Sequence, residues 1–182
     1  MADPIKLVLS AALLLLAACR SDPINFHTLT PLQAGDGRPA GADIQIEGIS
    51  VPPQVDRPQI VIRQGNSGLV ILETEWWGAS LVDELSSALE NQLANSSLPR
   101  RASVRLDVQR FDSVPGRYAL LDVRWRLRPT DAGAKALLNC RSTLQTPAGA
   151  SIDALVIAHQ KNIERLAEAI VRTAGSDQGQ CP

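Results

Sequence analysis

The chain has 182 residues, 45% of them hydrophobic, and its 18 basic and 19 acidic side chains leave a net charge of −1. That balance excludes a disordered chain and gives no overall electrostatic footprint for nucleic acid. The length suits one domain with a real apolar core.

The first element is the apolar run from Leu7 to Ala18, which ends in Leu16-Ala17-Ala18-Cys19. It is too short to span a bilayer stably and has one upstream cation, Lys6. Small residues before a cut that is followed by Cys make residues 1–18 a bacterial lipoprotein signal peptide. Cys19 is therefore the lipidation residue: its sulfur takes a diacylglycerol and its freed amine takes a further acyl chain. Each buried CH₂ adds roughly 0.8 kcal/mol, so several chains anchor stably. The plainer alternative is a secreted protein whose cysteine follows the cut by coincidence. In enterobacterial lipoproteins an Asp after the cysteine favours the inner membrane, so Arg20 points to the outer membrane. No second apolar run is long enough to cross a membrane.

Residues 19–42 read as a lipidated N-terminus and linker, with Pro23, Pro31, Pro39, Gly35, Gly37 and Gly41 as punctuation. A short extended piece, Phe26-His27-Thr28-Leu29, can join a sheet edge. Residues 43–182 read as a single domain. Its first strand is Asp43–Val51, in which Ile44 and Ile46 alternate and Ile49 and Val51 continue in the opposite phase, with a bulge expected at Gly48. Gln59–Arg63, the turn Gly65-Asn66-Ser67-Gly68 and Leu69–Leu72 form a hairpin. The glycines fit no nucleotide-binding loop, and no Lys follows them.

Ser80 caps a helix whose Leu81, Leu85, Leu89 and Leu93 make one apolar face, with Asp83 and Glu84 at the favourable end of its dipole. Trp76-Trp77-Gly78 precedes the cap. Ser103–Arg110 and Tyr118–Leu127 alternate apolar and charged residues, as an antiparallel pair with one buried face does. A turn at Asp131-Ala132-Gly133 leads to a strand over about Ala136–Gln145. Ser151 then caps a long helix reaching about Thr173, with His159 on its apolar stripe. The fold class is α/β: a mixed, largely antiparallel sheet carrying two main amphipathic helices.

Cys140 and Cys181 remain after lipidation. The oxidising periplasm allows a disulfide between them, and a Cys in a polar tail has no packing reason to be there. Two free thiols are the alternative. His27 and His159 are the only histidines, and no Cys/His pair has metal-ligand spacing. No nucleophile-elbow spacing is present, so nothing positive points to catalysis. Residues 100–128 carry eight arginines against Asp107, Asp112 and Asp122. They make either a solvated face with salt bridges or a surface for an acidic partner or anionic head groups.

Several segments together carry a family likeness. Phe26-His27-Thr28-Leu29 resembles an aromatic-aromatic-x-Leu start, with His27 for the second aromatic. Ile49-Ser50-Val51-Pro52 and Asp56-Arg57-Pro58-Gln59-Ile60-Val61 resemble a Val-x-Val-Pro … Leu-Asp-Arg-Pro-Gln-Ile-Val run, with Val55 for Leu. Trp76-Trp77-Gly78-Ala79-Ser80-Leu81 resembles a Trp-Ala-x-x-Leu start of a helix, with Ser80 for Pro, and Arg110-Phe111 followed by Trp125 resembles a later Arg-Phe and Trp pattern. The chain thus resembles the ABC-type transport auxiliary lipoproteins of the paraquat-inducible protein C type, associated with MCE transport systems.

The resemblance implies a fold similar to the TolB N-terminal and anticodon-binding domains. It implies a non-enzymatic subunit without a cofactor. Such a subunit is held at the outer membrane and works with an MCE tunnel protein and an inner-membrane permease in phospholipid traffic, as a homo-oligomer. Asp56, Arg57, Gln59 and the exposed member of the Trp76/Trp77 pair are the candidate contacts with the tunnel protein, although Asp56-Arg57-Pro58 also serves simply as the turn that starts a strand. The alternative function is a stand-alone periplasmic lipoprotein that itself holds a lipid or other apolar ligand, and the apolar faces of strands and helices look used up by each other.

Overall fold

The structure is a computed structural model that describes residues 22–32, 44–94, 101–130, 137–176 and 181. The signal segment, Cys19, Arg20 and the turn expected at Asp131-Ala132-Gly133 lie outside the described residues.

The elements run β1 (Asn25–His27), β2 (Ile44–Ser50), β3 (Gln59–Gln64), β4 (Gly68–Trp77), α1 (Leu81–Ala94), β5 (Ala102–Val114), β6 (Tyr118–Pro129), β7 (Leu138–Pro147) and α2 (Ile152–Gly175). They form two sheets rather than one. The larger has the order β2-β5-β6-β7, with β2 parallel to β5 and the other pairs antiparallel. The smaller has the order β1-β4-β3, with β1 parallel to β4 and β3 antiparallel to it. This is the α/β class with mixed sheets and two helices packed on them.

Both long helices lie on one face of the larger sheet and against each other. The Leu81, Leu85, Leu89 and Leu93 face of α1 is buried, as are Ile163, Leu166 and Ile170 of α2. Under them sit Val104, Leu106, Val108, Leu121, Val123, Trp125 and Leu127. Each such side chain contributes roughly 1.5–3 kcal/mol by leaving water. The helix starts are fixed locally. Ser80 Oγ accepts from the Asp83 N–H and donates to the Asp83 carboxylate, and Ser151 Oγ accepts from the Ala154 N–H.

Two bulges shape the larger sheet. One lies between Ile46 and Gly48, at the glycine where the apolar phase slips. The other lies between Val108 and Arg110. It carries β5 past the expected end at Arg110 to Val114 and turns Phe111 and Ser113 toward the helices. The two sheets meet here: the Trp77 ring packs edge-on against Phe111 with centroids 6.2 Å apart, and Arg63 of β3 pairs with Asp112 of β5.

The chain around β1 belongs to the folded body rather than to a linker. Leu29 is fully buried. Glu84 Oε2, in the first turn of α1, accepts from Thr28 Oγ1 and from the Leu29 N–H, each at 2.8 Å. The Gly78 N–H donates to the His27 carbonyl at 2.8 Å. Glu84, read from the sequence only as a dipole partner, is a buried clamp on the incoming chain.

At the other end, Cys140 of β7 is bonded to Cys181, with Cα atoms 5.4 Å apart and a sequence separation of 41.

Candidate partner-facing site

The segments singled out in the sequence meet at one end of the smaller sheet. The Phe26, Trp76 and Gln59 backbones sit side by side across β1, β4 and β3. The Phe26 and Trp76 rings touch edge to face, with centroids 6.4 Å apart. Phe26 is 67% exposed, and Trp76 and Gln59 are half-buried. Trp76 Nε1 donates to the Glu73 carbonyl, which fixes the indole. Behind this row, the Trp77 N–H donates to the Pro58 carbonyl at 2.7 Å. That bond ties the Asp56-Arg57-Pro58 turn to the end of β4.

Trp77 itself is 4% exposed and packed on Phe111, so it cannot meet a partner. Alternation along β4 puts Trp76 on the outer face and Trp77 on the inner one. Asp56 is exposed. Arg57 is half-buried, and its Nε is buried without a hydrogen-bond acceptor. Val55 is tucked under the turn, and the Val55 N–H donates to the Pro52 carbonyl.

Phe26, the most exposed aromatic of the site, belongs on the contact list that the sequence began with Trp76. Its alternation with His27 was the available signal. On the opposite side of β1, His27 Nε2 lies 2.6 Å from Glu75 Oε2 and Asn25 Nδ2 donates to Glu75 Oε1. These bonds, the one with His27 first, hold the Glu75 carboxyl below its ordinary value.

One hydroxyl–imidazole pair deserves a chemical test. Ser113 Oγ is 2.9 Å from His159 Nε2, and Asp112 is the next residue along β5. The three are sealed: Ser113 is 2% exposed, His159 1% and Asp112 5%. The imidazole stacks on Phe111, with centroids 3.9 Å apart and planes 8° from parallel, and its Nδ1 has no partner. Burial pushes the His159 pKa down to about 3, against the smaller opposing pull of Asp112. The Asp112 carboxylate is taken by Arg63 and Arg110 rather than by the imidazole. The pair is a buried contact of the core, with one imidazole nitrogen bonded to Ser113 and the other unpaired among the described residues. Among the described residues no group of His, Cys, Asp and Glu could hold a metal ion. Between helices and sheet, the void bounded by Leu85, Leu106 and Ile163 is about 10 Å³, room for no acyl chain.

The other face of the larger sheet is uncovered. It bears Arg105 and Asp107 from β5, Arg124 and Arg126 from β6, and Asn139 and Arg141 from β7 around a groove of about 600 Å³. Asp122, beside it, takes two hydrogen bonds from Arg141 and one from Thr143. The Arg141 guanidinium, ahead of the smaller contributions, holds the Asp122 carboxyl below its usual range, and Asp122 raises Arg141 in turn.

A family model described as an ABC-type transport auxiliary lipoprotein component matches residues 27–171. Two crystal structures share the fold. One, described as an uncharacterized protein, superposes with a TM-score of 0.64 at 17% identity, covering 83% of this chain and 98% of its own. The other, a protein from Xanthomonas campestris assigned to a domain family of unknown function, gives 0.59 at 16% identity, covering 85% and 97%. No curated protein matches the chain in sequence. No helix among the described residues is long and apolar enough to cross a membrane.

Proposed function

Because the chain belongs to the ABC-type transport auxiliary lipoprotein family, we propose that it is the lipid-anchored periplasmic adaptor of an MCE/ABC-type intermembrane phospholipid transport system. It docks the MCE tunnel protein at the outer membrane, in line with an inner-membrane permease, as a homo-oligomer held by acyl chains on Cys19. The reading requires no cofactor and no catalytic step.

The observation that supports it is the convergence of three separate strands, Phe26 from β1, Trp76 from β4 and Gln59 from β3, with the Asp56-Arg57-Pro58 turn tied to the end of β4 by the Trp77–Pro58 bond. An exposed phenylalanine set against a half-buried tryptophan, beside a charged turn, has the composition of an interface anchor. The rival reading, a lipid carrier in its own right, needs an apolar cavity, and the void between the helices and the larger sheet, at about 10 Å³, does not supply one.

Pull-down with an MCE tunnel protein of the same organism tests the assignment. Phe26→Ser with Trp76→Ser should abolish recovery, and Asp56→Arg with Arg57→Glu should reduce it. Unchanged recovery in both would remove the surface from the mechanism. Cys19→Ala should fold normally and fail to maintain the envelope barrier. Full barrier function from unlipidated protein would refute the anchored adaptor.

A further inference from the structure

The uncovered face of the larger sheet places like charges directly opposite one another. Arg105 of β5 faces Arg126 of β6, and Arg124 of β6 faces Arg141 of β7. Opposed like charges on neighbouring strands destabilise a sheet. Arg141 is relieved by Asp122. Arg105, Arg124 and Arg126 are exposed and form no ion pair with a carboxylate among the described residues. The one acid in the groove, Asp107, accepts from Ser50 Oγ at 2.9 Å. Asp107 also lies directly opposite Arg124, so the cross-strand repulsion that folding leaves unrelieved is the Arg105–Arg126 pair.

We infer that the Arg105–Arg124–Arg126 face is a docking surface for the phosphate head groups of an anionic lipid leaflet. Guanidinium forks donate paired hydrogen bonds to phosphate oxygens, and strand spacing of roughly 5 Å with a two-residue repeat of roughly 7 Å sets them out as a grid. No described helix lies on this face, so its arginines can turn toward a bilayer. A lipid leaflet is favoured over an acidic polypeptide by the distance the chain allows. Five residues separate Cys19 from the first residue of β1. Fully extended, that piece reaches roughly 20 Å, so an anchored body never leaves the neighbourhood of head groups. This last step rests on the anchor at Cys19, whereas the charge array does not.

The test reads the arginines one by one. The full chain, purified from bacterial membranes, is incorporated into vesicles of phosphatidylcholine or of phosphatidylglycerol and treated with p-hydroxyphenylglyoxal. Peptide mass spectrometry gives the modification rate at each arginine. Phosphatidylglycerol should slow Arg105, Arg124 and Arg126 by about fivefold or more relative to phosphatidylcholine. The protection should fade at high salt, while Arg172, exposed on α2, reacts equally in both. Equal rates at the three arginines in the two vesicles would overturn the inference. So would protection by soluble inorganic phosphate matching that of the vesicles, which would mean a free-anion site, or protection by polyglutamate alone, which would mean an acidic protein partner. Recovery of the chain with phosphatidylcholine vesicles separately reads the anchor, so a failed anchor and a failed arginine face give different results.

Discussion

Lowering the pH should destabilise this protein through one side chain. His159 is neutral in the core, with its pKa at about 3, against about 6.5 when the chain is unfolded. The folded state therefore binds this proton later than the unfolded state does. The stability tied to the neutral ring is fully present above pH 6.5 and is lost as pH falls toward 3. Each pH unit inside that window costs about 1.4 kcal/mol, so moving from pH 7 to pH 4.5 should remove about 2–3 kcal/mol. That is a large share of the roughly 5–15 kcal/mol available to a domain.

The depressed carboxyls, Glu75 and Asp122, act in a lower window, because their contribution persists until pH falls below the ordinary carboxylate range. Urea unfolding at half-unit steps between pH 4.5 and 7.5 measures the slope. His159→Gln should be less stable than the parent at pH 7.5 by roughly 1–3 kcal/mol, through loss of the Phe111 stack and the Ser113 bond. It should nevertheless show a much flatter pH profile. An imidazole of His159 that titrates near 6.5 in the folded chain by NMR, or a slope that survives in His159→Gln, would refute the reasoning.

Other outcomes follow from the same geometry. Glu84→Ala should leave the Leu29 N–H and the Thr28 hydroxyl without their acceptor and cost about 1–3 kcal/mol; hydrogen exchange should accelerate at residues 26–29 and stay slow in β5 and β6. Intact mass without reductant should be lighter by two protons than after reduction, as a Cys140–Cys181 bond requires, and Cys181→Ser should lower stability by up to about 4 kcal/mol on the loop-entropy estimate. Arg126→Glu, opposite Arg105, turns a repulsive cross-strand pair into an attractive one. It should stabilise the fold by roughly 0.5–1 kcal/mol at low salt and by less at high salt, measured by thermal melts.

The elements with a local signal were legible in the sequence. Leucines every fourth residue and a serine cap placed α1, and Ser151 placed the start of α2. The slip in apolar phase at Gly48 marked a bulge that the β2–β5 register shows. The second bulge, at Gln109, carries no glycine or proline to announce it, so β5 reads as ending four residues early. The same bulge hid the partner of His159, because strict alternation past Arg110 does not bring Ser113 to the helix side. The position of His159 on an apolar stripe was visible, but its burial against Phe111 depends on that unannounced change of phase. Pairing between distant segments was also beyond local pattern: nothing near Phe26 says that β1 lies parallel to β4. The excess of arginine over residues 100–128 was plain in composition. Which arginines oppose each other is a matter of register across three strands, and Arg141 entered the array from outside the counted stretch.

The clamp on β1 changes what an anchored body can do. Had residues 19–42 been free coil, the domain could have searched the width of the periplasm for its partner. With Asn25–Leu29 stitched to β4 and held by Glu84, only a few residues of slack remain between Cys19 and the fold. If the proposed anchor at Cys19 holds, a body on so short a leash would be a fixed mooring on the membrane surface, and the proposed partner would have to come to it. That anchor would restrict its orientation as well, because the strand nearest Cys19 in sequence is the one that carries Phe26. Lengthening the leash by inserting residues before Asn25 would therefore alter the height and tilt of the docking surface while leaving every contact within it intact.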